Sequence, residues 1–101
     1  MKIFPISETI HKVDISGSFD AFKALEFAKK LDVLYAVPHI YVIIDLAAVT
    51  FMDTVALNAL THSMRSAEEN GGKLYLVNVK LPVRMLLETT RMDRAFSIFP
   101  T

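Results

Sequence analysis

The sequence predicts an α/β fold with a mostly parallel sheet of four or five strands and helices mainly on one side. Strand patterns and helix patterns alternate along the chain, and short connections separate them. Such alternation is typical of parallel strands joined by helical crossovers. The length of 101 residues fits one domain. We therefore expect a single domain over residues 1–101.

Two strands are predicted near the start of the chain. Residues 2–6 form a short candidate strand, which Pro5 restricts to an edge or a strand end. Residues 10–16 alternate in polarity, as a half-buried strand does. The residues expected to share one face of that second strand are His11, Val13 and Ile15.

The first helix is predicted to follow a turn. Residues 17–20 are typical of a turn, and Asp20 is a suitable N-cap. A helical pattern then runs from Ala21 to Leu31, and Pro38 separates it from the next strand. The apolar positions that recur at helical spacing are Phe22, Leu25, Ala28 and Leu31. We expect these side chains to form the buried face.

The middle of the chain predicts a central strand followed by a second helix. Residues 40–46 are apolar at successive positions until Asp45, which predicts a strand buried on both sides. The second helix is predicted from about Thr54 to Asn70, and Gly71-Gly72 ends it. Its expected buried positions are Leu57, Leu60, Met64 and Ala67.

The last third of the chain repeats the alternation. Residues 73–79 predict another strand, and Pro82 is well placed in the first turn of a third helix. Residues 96–99 predict a last short strand. The apolar face of the third helix is expected to contain Val83, Leu86 and Leu87.

Composition argues against several classes of function. Basic and acidic residues number 11 each, and no cluster of Lys or Arg is present. Binding to nucleic acid or to an anionic membrane therefore has little support. The absence of cysteine excludes disulfides and thiol chemistry and is compatible with a reducing, cytoplasmic location. No apolar run is long enough for direct membrane insertion.

The most informative segment joins the central strand to the second helix. The strand from Val42 to Leu46 is followed by Asp53 and Thr54, and a helical pattern starts at once. A hydroxyl at such a position lies beside unpaired backbone N–H groups and the positive end of the helix dipole. It can cap the helix, bind an anion or carry a phosphate. The residues alone leave these alternatives open.

Other polar residues do not form a recognisable reactive set. The three histidines are scattered without the spacing of metal ligands, and the aspartates lack a neighbouring nucleophile or base. We therefore expect no enzymatic activity, no metal and no cofactor. The residues considered for these roles were His11, His39, His62, Asp14, Asp20, Asp45 and Asp53.

Four stretches of the chain match the motifs of one family in order and spacing. Residues 15–20 form a strand that ends in Gly, two residues and Asp. Residues 42–54 combine the central strand with the loop that carries Asp53 and Thr54. Residues 71–79 combine a glycine turn with the following strand, and residues 82–96 form the last helix and its turn. Together these stretches make the chain resemble STAS domains of the single-domain anti-sigma factor antagonist type, and residues 42–54 resemble the signature loop of that family.

The resemblance implies a STAS-like fold and a switchable docking domain. In antagonists of this family the signature loop contains Asp-Ser-Ser-Gly, and a partner kinase phosphorylates the second serine, which ends binding. In this sequence Val55 and Ala56 occupy the second-serine and glycine positions, so Thr54 is the remaining phosphorylation candidate. Switching through Thr54, binding without switching, and a different role within the family all remain open.

The expected function is therefore a bacterial, cytoplasmic interaction module in a partner-switching pathway that regulates transcription. The expected partner is a serine/threonine protein kinase of the anti-sigma type, and a phosphatase is a second candidate. The alternatives are a small cytosolic STAS-like subunit of a membrane transporter complex and, with less support, a sensor of a nucleotide or another anion. The expected partner-binding residues are Asp20, Met52, Asp53, Thr54, Val55, Asn58 and Thr61.

Overall fold

A computed structural model describes residues 1–99 of the chain. It contains five strands, three α-helices and a 3₁₀ turn in the predicted alternating order. No helix within residues 1–99 has the length and apolar character needed to cross a membrane. The elements are β1 (Lys2–Pro5), β2 (Ile10–Phe19), α1 (Ala21–Leu34), β3 (Tyr41–Met52), α2 (Thr54–Glu69), β4 (Lys73–Val77), α3 (Leu81–Thr89), the 3₁₀ turn (Met92–Arg94) and β5 (Ser97–Ile98).

The strands form one sheet in the order β1-β2-β3-β4-β5. β1 is antiparallel to β2 and lies at the edge, whereas the other neighbouring pairs are parallel. The edge position of β1 suits Pro5, which has no N–H to donate to another strand. The predicted fold class, a mostly parallel α/β sheet, is therefore confirmed.

The core lies on one face of the sheet, and this corrects the expectation for the central strand. Along β3, Val42, Ile44 and Leu46 are fully buried, whereas Ile43 is half-buried and Tyr41 is 38% exposed. The strand therefore alternates between a face packed against the rest of the molecule and a face open to solvent. Its apolar run did not distinguish these two environments, because aliphatic and aromatic residues also suit a half-exposed strand.

The open face carries a polar cluster on β2 and β3. Lys12 Nζ lies 3.4 Å from Asp14 Oδ1 and 3.4 Å from Asp45 Oδ2. Asp45 Oδ1 accepts hydrogen bonds from the Ala47 N–H at 2.9 Å and from Asn78 Nδ2 at 3.1 Å. Desolvation opposes ionisation of Asp45, but these bonds and Lys12 outweigh it and lower the pKa of that carboxyl. Asp45 is thus paired and hydrogen-bonded, whereas Asp14 Oδ1 has the nearby Lys12 ammonium but no hydrogen-bond partner among the described residues.

The first helix buries Leu31 as predicted, but the rest of its buried face differs from the predicted one. Ala24, Phe27 and Leu31 are buried, whereas Phe22 is 88% exposed and Leu25 is 61% exposed. The ring of Phe27 packs edge-to-face on Phe19 of β2, with ring centroids 5.5 Å apart. Helical spacing did not select the face, because an apolar run also passes through positions 24, 27 and 31.

Several boundaries differ from the predicted ones. β2 continues to Phe19, so the expected turn at residues 17–20 is wrong. Gly17, with a φ of 71°, and shifts in the pairing with β3 make this part of the strand irregular without ending it. β4 stops at Val77 because Asn78 adopts a φ of 56°, which takes the chain out of the extended conformation.

The remaining elements match more closely. The buried face of α2 contains the four predicted side chains together with Ala56 and Ser63. Gly71 has a φ of 90° just beyond the helix, as predicted for a helix-ending glycine. β3 extends beyond the predicted residues 40–46, and the last strand is limited to Ser97–Ile98. Residues 100 and 101 lie outside the described part of the chain.

Polar bonds tie α1 and α2 together where the two helices end. Asn70 Nδ2 donates to the carbonyl oxygens of Tyr35 and Val37 at 2.9 and 2.8 Å, and its Oδ1 accepts from the Ile40 N–H at 2.9 Å. The Tyr35 hydroxyl and Ser63 Oγ lie 2.6 Å apart in a hydrogen bond. Burial raises the pKa of Tyr35 to about 12. One side chain, Asn70, thus fixes the path from α1 into β3.

Candidate functional site

The candidate site lies where β2 and β3 end and α1 and α2 begin. Phe19 and Met52 are paired across the two strands, and the Asp53 N–H donates to the Phe19 carbonyl at 3.3 Å. The next residue in each chain segment is the N-cap of a helix, Asp20 for α1 and Asp53 for α2. Asp20 therefore lies close to the loop that carries Asp53 and Thr54.

The two aspartates are the helix caps, and this assigns the capping role that the sequence left open. Asp53 Oδ1 accepts from the Ala56 N–H at 2.8 Å, and Asp20 Oδ1 accepts from the Lys23 N–H at 3.2 Å. Each bond satisfies one of the backbone donors that a helix start leaves unpaired. The hydroxyl of Thr54 is therefore not needed to begin α2.

Thr54 is the first residue of α2 and is exposed. Within residues 1–99 its hydroxyl forms no hydrogen bond, whereas the hydroxyl of Thr61, two turns later, donates to the Leu57 carbonyl at 2.9 Å. The two threonines of α2 thus differ in whether the hydroxyl is engaged. An exposed, unengaged hydroxyl is accessible to another macromolecule.

Val55 and Ala56 occupy very different environments although they are adjacent. Val55 is 50% exposed, whereas Ala56 is fully buried and its N–H is held by the Asp53 cap. The position that matches the usual phosphorylated serine is thus on the surface but carries an apolar side chain. The position that matches the family's glycine is part of the core, where its methyl group packs.

Met52 does not belong to the accessible surface, and this corrects the expected set of contact residues. Its exposed fraction is 5%, and it is a member of the main hydrophobic core. The side chains alternate at the end of β3, so Met52 points into the helical layer while Phe51 is 52% exposed. A partner could reach Met52 only by opening the core.

Asn58 and Thr61 lie on a second part of the site, beside the end of α3. They line an open cleft of about 500 Å³ between α2 and the turn that follows α3. The residues that define this cleft include Thr54, Asn58, Thr61, Arg65, Thr90 and Met92. Of the predicted contact residues on α2, Thr54, Asn58 and Thr61 thus share one cleft wall, whereas Val55 does not line the cleft.

Two exposed apolar residues beside the site were not predicted as site residues. Phe22 and Leu25 lie in the first two turns of α1, next to the start of α2. The sequence places both at helical spacing, which is the usual signal of a buried face. The composition, with 52% hydrophobic residues, is the only sequence signal that pointed to exposed apolar surface, and it did not locate it.

The described residues show no arrangement suited to a metal. Within residues 1–99 no group of three or more His, Asp or Glu side chains is close enough to hold an ion. The histidines are separated: His62 lines the cleft, and His39 contacts the Gly71 carbonyl through Nδ1 at 3.2 Å. The chemistry offered by the site is therefore that of an accessible hydroxyl, two capping carboxylates and exposed apolar side chains.

Comparison with known families gives a match over nearly the whole chain. The model of the STAS domain family matches residues 2–101. The match includes every residue of the candidate site.

Solved structures with the same fold agree with that match. One is a putative anti-sigma factor antagonist from Thermotoga maritima, with 19% identity, a TM-score of 0.83 and coverage of 99% of this chain and 86% of that one. Another is the Bacillus cell fate determinant SpoIIAA in the phosphorylated form, with 14% identity, a TM-score of 0.79 and coverage of 98% and 90%. A third is a sulfate transporter family protein from Wolinella succinogenes, with 24% identity, a TM-score of 0.78 and coverage of 97% and 80%. At these identities the likeness is one of fold.

Proposed function

Because the chain belongs to the STAS domain family, we propose that it is a non-enzymatic anti-sigma factor antagonist. In this proposal one STAS domain, residues 1–101, acts in the cytoplasm of a bacterium and regulates transcription by partner switching. Its partner is a serine/threonine protein kinase of the anti-sigma type, and a phosphatase reverses the modification. The observation that carries the proposal is the exposed hydroxyl of Thr54 at the start of α2.

The position of Thr54 suits a reversible phosphate. A phosphate would add about 1.5 to 2 negative charges at pH 7. Backbone N–H groups at the start of α2 would stabilise that charge by about 0.3 to 1 kcal/mol, and the neighbouring Asp53 carboxylate would oppose it. Because the Thr54 hydroxyl supports no bond within residues 1–99, its modification would leave the fold intact. The phosphorylated form would therefore differ in its surface and not in its shape.

A phosphate on Thr54 is expected to end partner binding because the neighbouring Val55 belongs to the proposed contact. Val55 is half-exposed and follows Thr54 in the first turn of α2. In this proposal the partner covers both residues and therefore removes water from Thr54. Removing water from a phosphate dianion without a compensating charge is strongly unfavourable. Phosphorylation of Thr54 would thus end docking directly. The partner-binding residues in this proposal are Asp20, Asp53, Thr54, Val55, Asn58 and Thr61.

Phosphate transfer provides the first test. The purified chain is incubated with ATP and each anti-sigma-type kinase encoded in its source genome, and then weighed intact. We expect one added phosphate, which disappears in Thr54→Val but remains in Thr89→Val. Thr89 is the control because it is an exposed threonine of α3 that lies outside the proposed contact residues. No added phosphate, or a phosphate that survives Thr54→Val, would refute switching through Thr54.

The second candidate function is a cytosolic STAS-like subunit of a membrane transporter complex. The fold it shares with the Wolinella succinogenes sulfate transporter family protein favours it. In that role Thr54 makes permanent contacts and is never modified. Co-purification with a transporter, with no binding to any anti-sigma-type kinase, would favour this candidate over the first.

A further inference from the structure

Three apolar residues are exposed near the N-terminal ends of α1 and α2 and are here called the apolar patch. Its members are Phe22, Leu25 and Val55, with exposed fractions of 88%, 61% and 50%. We infer that this patch, centred on Phe22, is the energetic centre of the kinase contact. The inference rests on the proposed function, because it assigns to that kinase an apolar pocket that receives Phe22.

The seam between the two helices is fixed by the bond between Tyr35 and Ser63. This bond identifies the side of each helix that faces the other. On α1 the row that leads back from Tyr35 at helical spacing contains Asp32, Ala28 and Leu25. Leu25 therefore lies on the side of α1 that faces α2.

The corresponding row on α2 leads to Val55. It runs from Ser63 through Ala59 to Val55 in steps of four residues. At 1.5 Å per residue, Leu25 lies about 15 Å from the level of Tyr35, and Val55 about 12 Å from the level of Ser63. Because α1 and α2 both begin at the same end of the sheet, the two apolar residues reach the same end of the seam.

Phe22 lies on the solvent side of Leu25, at the N-terminal end of α1. It lies one turn before Leu25, and its direction is opposite to that of the buried residues Ala24, Phe27 and Leu31. An exposed fraction of 88% means that the ring has almost no contact within the domain. The fold does not use Phe22, so the side chain is free to enter a pocket of another molecule.

The area of the patch suits the centre of a protein interface. Its three side chains expose on the order of 400 Å² of apolar surface, which is the size of the largest patches on monomeric proteins. A stable contact needs about 800 Å² on each partner. Asp20 and Asp53 cap the two helices at this end, and Thr54 and Asn58 lie on the cleft side of α2. Polar residues therefore flank the patch, as in the rim of such interfaces.

Charge around the patch favours a protein over a lipid surface. The charges around the patch are mixed, without a basic cluster: Asp20 and Asp53 lie at the two helix starts, Glu26 is paired with Lys30 at 3.5 Å, and Lys29 lies one turn after Leu25. The Lys23 ammonium is held by the Ser16 carbonyl. Anionic headgroups attract basic clusters and not carboxylates. Continuity with Thr54 then selects the proposed kinase, because a partner that covers Val55 also reaches Leu25 and Phe22.

Two alanine variants on the same helix test the inference. Phe22→Ala removes the ring at the patch, and Val33→Ala is the control, since Val33 is 72% exposed at the other end of α1. We expect Phe22→Ala to weaken binding of the anti-sigma-type kinase at least tenfold, as truncation of a buried aromatic anchor does. Val33 lies outside the proposed contact, so Val33→Ala should leave the affinity for the kinase within about twofold of the wild-type value. Both variants should melt at the wild-type temperature.

The outcomes separate the inference from the function on which it rests. If Phe22→Ala binds the kinase with wild-type affinity while Val55→Asp loses binding, the inference is overturned and the proposed function stands. Equal losses in Phe22→Ala and Val33→Ala would also overturn it. A dimer in light scattering that Phe22→Ala dissociates would show that a second copy covers the patch. If no kinase of this type binds, the function and the inference fail together.

Discussion

The two ends of the helical layer are built on different principles. Where α1 and α2 end, Asn70 and the Tyr35–Ser63 pair connect the helices and the chain entering β3 through close polar bonds. Where the same helices begin, each start has one capping bond, and the neighbouring surface residues are exposed and apolar. Substitutions should therefore change stability at the first end and partner binding at the second.

The largest expected effect is on binding, in Val55→Asp. A carboxylate at this position would have to lose its water against the partner's apolar surface, so affinity for the kinase should fall at least about 100-fold. The free energy of unfolding should stay the same or rise by about 0.3 to 1 kcal/mol, because a negative charge suits a helix start. Calorimetric titration and urea unfolding give the two values, and Val33→Asp is the control. A large loss of stability would show that Val55 serves the fold.

The opposite pattern is expected for Asn70→Ala. The substitution removes three hydrogen bonds and leaves a backbone N–H and two carbonyls without partners, so stability should fall by about 2 to 3 kcal/mol. Kinase affinity of the folded protein should not change, since Asn70 lies at the far end of both helices. Asn58→Ala, an exposed position in α2, should lose less than about 0.5 kcal/mol. Equal effects of the two variants would argue against the role assigned to Asn70.

Alkaline pH should destabilise the end of the helical layer that contains Tyr35 and Asn70. The pKa of Tyr35 is raised to about 12 in the folded protein, against about 10 in an unfolded chain. The unfolded state then loses a proton before the folded state does, so the contribution of Tyr35 is complete below pH 10 and is lost as pH rises towards 12. A rise of about two pKa units corresponds in full to roughly 2.7 kcal/mol, of which about 1.3 kcal/mol should be lost between pH 9 and pH 11. Unfolding in urea at pH 9 and 11 should show this decrease in wild type and in Tyr41→Phe, and a smaller decrease in Tyr35→Phe.

Asp53→Ala, at the end where α1 and α2 begin, should lower stability less than Asn70→Ala does. Removal of the cap from the Ala56 N–H should lower stability by about 1 kcal/mol. Asp53→Asn retains an acceptor oxygen at the same place and should lose much less. A thermal melt of both variants compares them directly. If the alanine variant were as stable as wild type, Asp53 would be free of a capping role and available only for contact.

Most of the fold was predictable because its signals are local. Pro5 at an edge, Gly71 after a helix and the alternating strand over residues 10–16 each restrict the backbone through their own chemistry. The four buried positions predicted for α2 were found because its polar and apolar faces are well separated. These features need no knowledge of what packs against them.

The parts that were not predictable depend on contacts between distant residues. The face of α1 is selected by the packing of Phe27 on Phe19, and Leu25 is apolar without being buried. Met52 is adjacent in sequence to the site but points into the core. At the candidate site the sequence indicated Asp53 and Thr54 but left the capping role open, and the apolar patch on α1 became visible only once the orientation of the helix was known.

Hydrogen exchange of the chain alone and in complex with its kinase tests the central claim most directly. A partner that docks on the helix starts should slow amide exchange in residues 20–26 and 53–62 and leave residues 35–40 and the strands β4 and β5 unchanged. Protection confined to the open face of the sheet, with residues 53–62 exchanging as fast as in the free chain, would contradict docking at Thr54 and Val55.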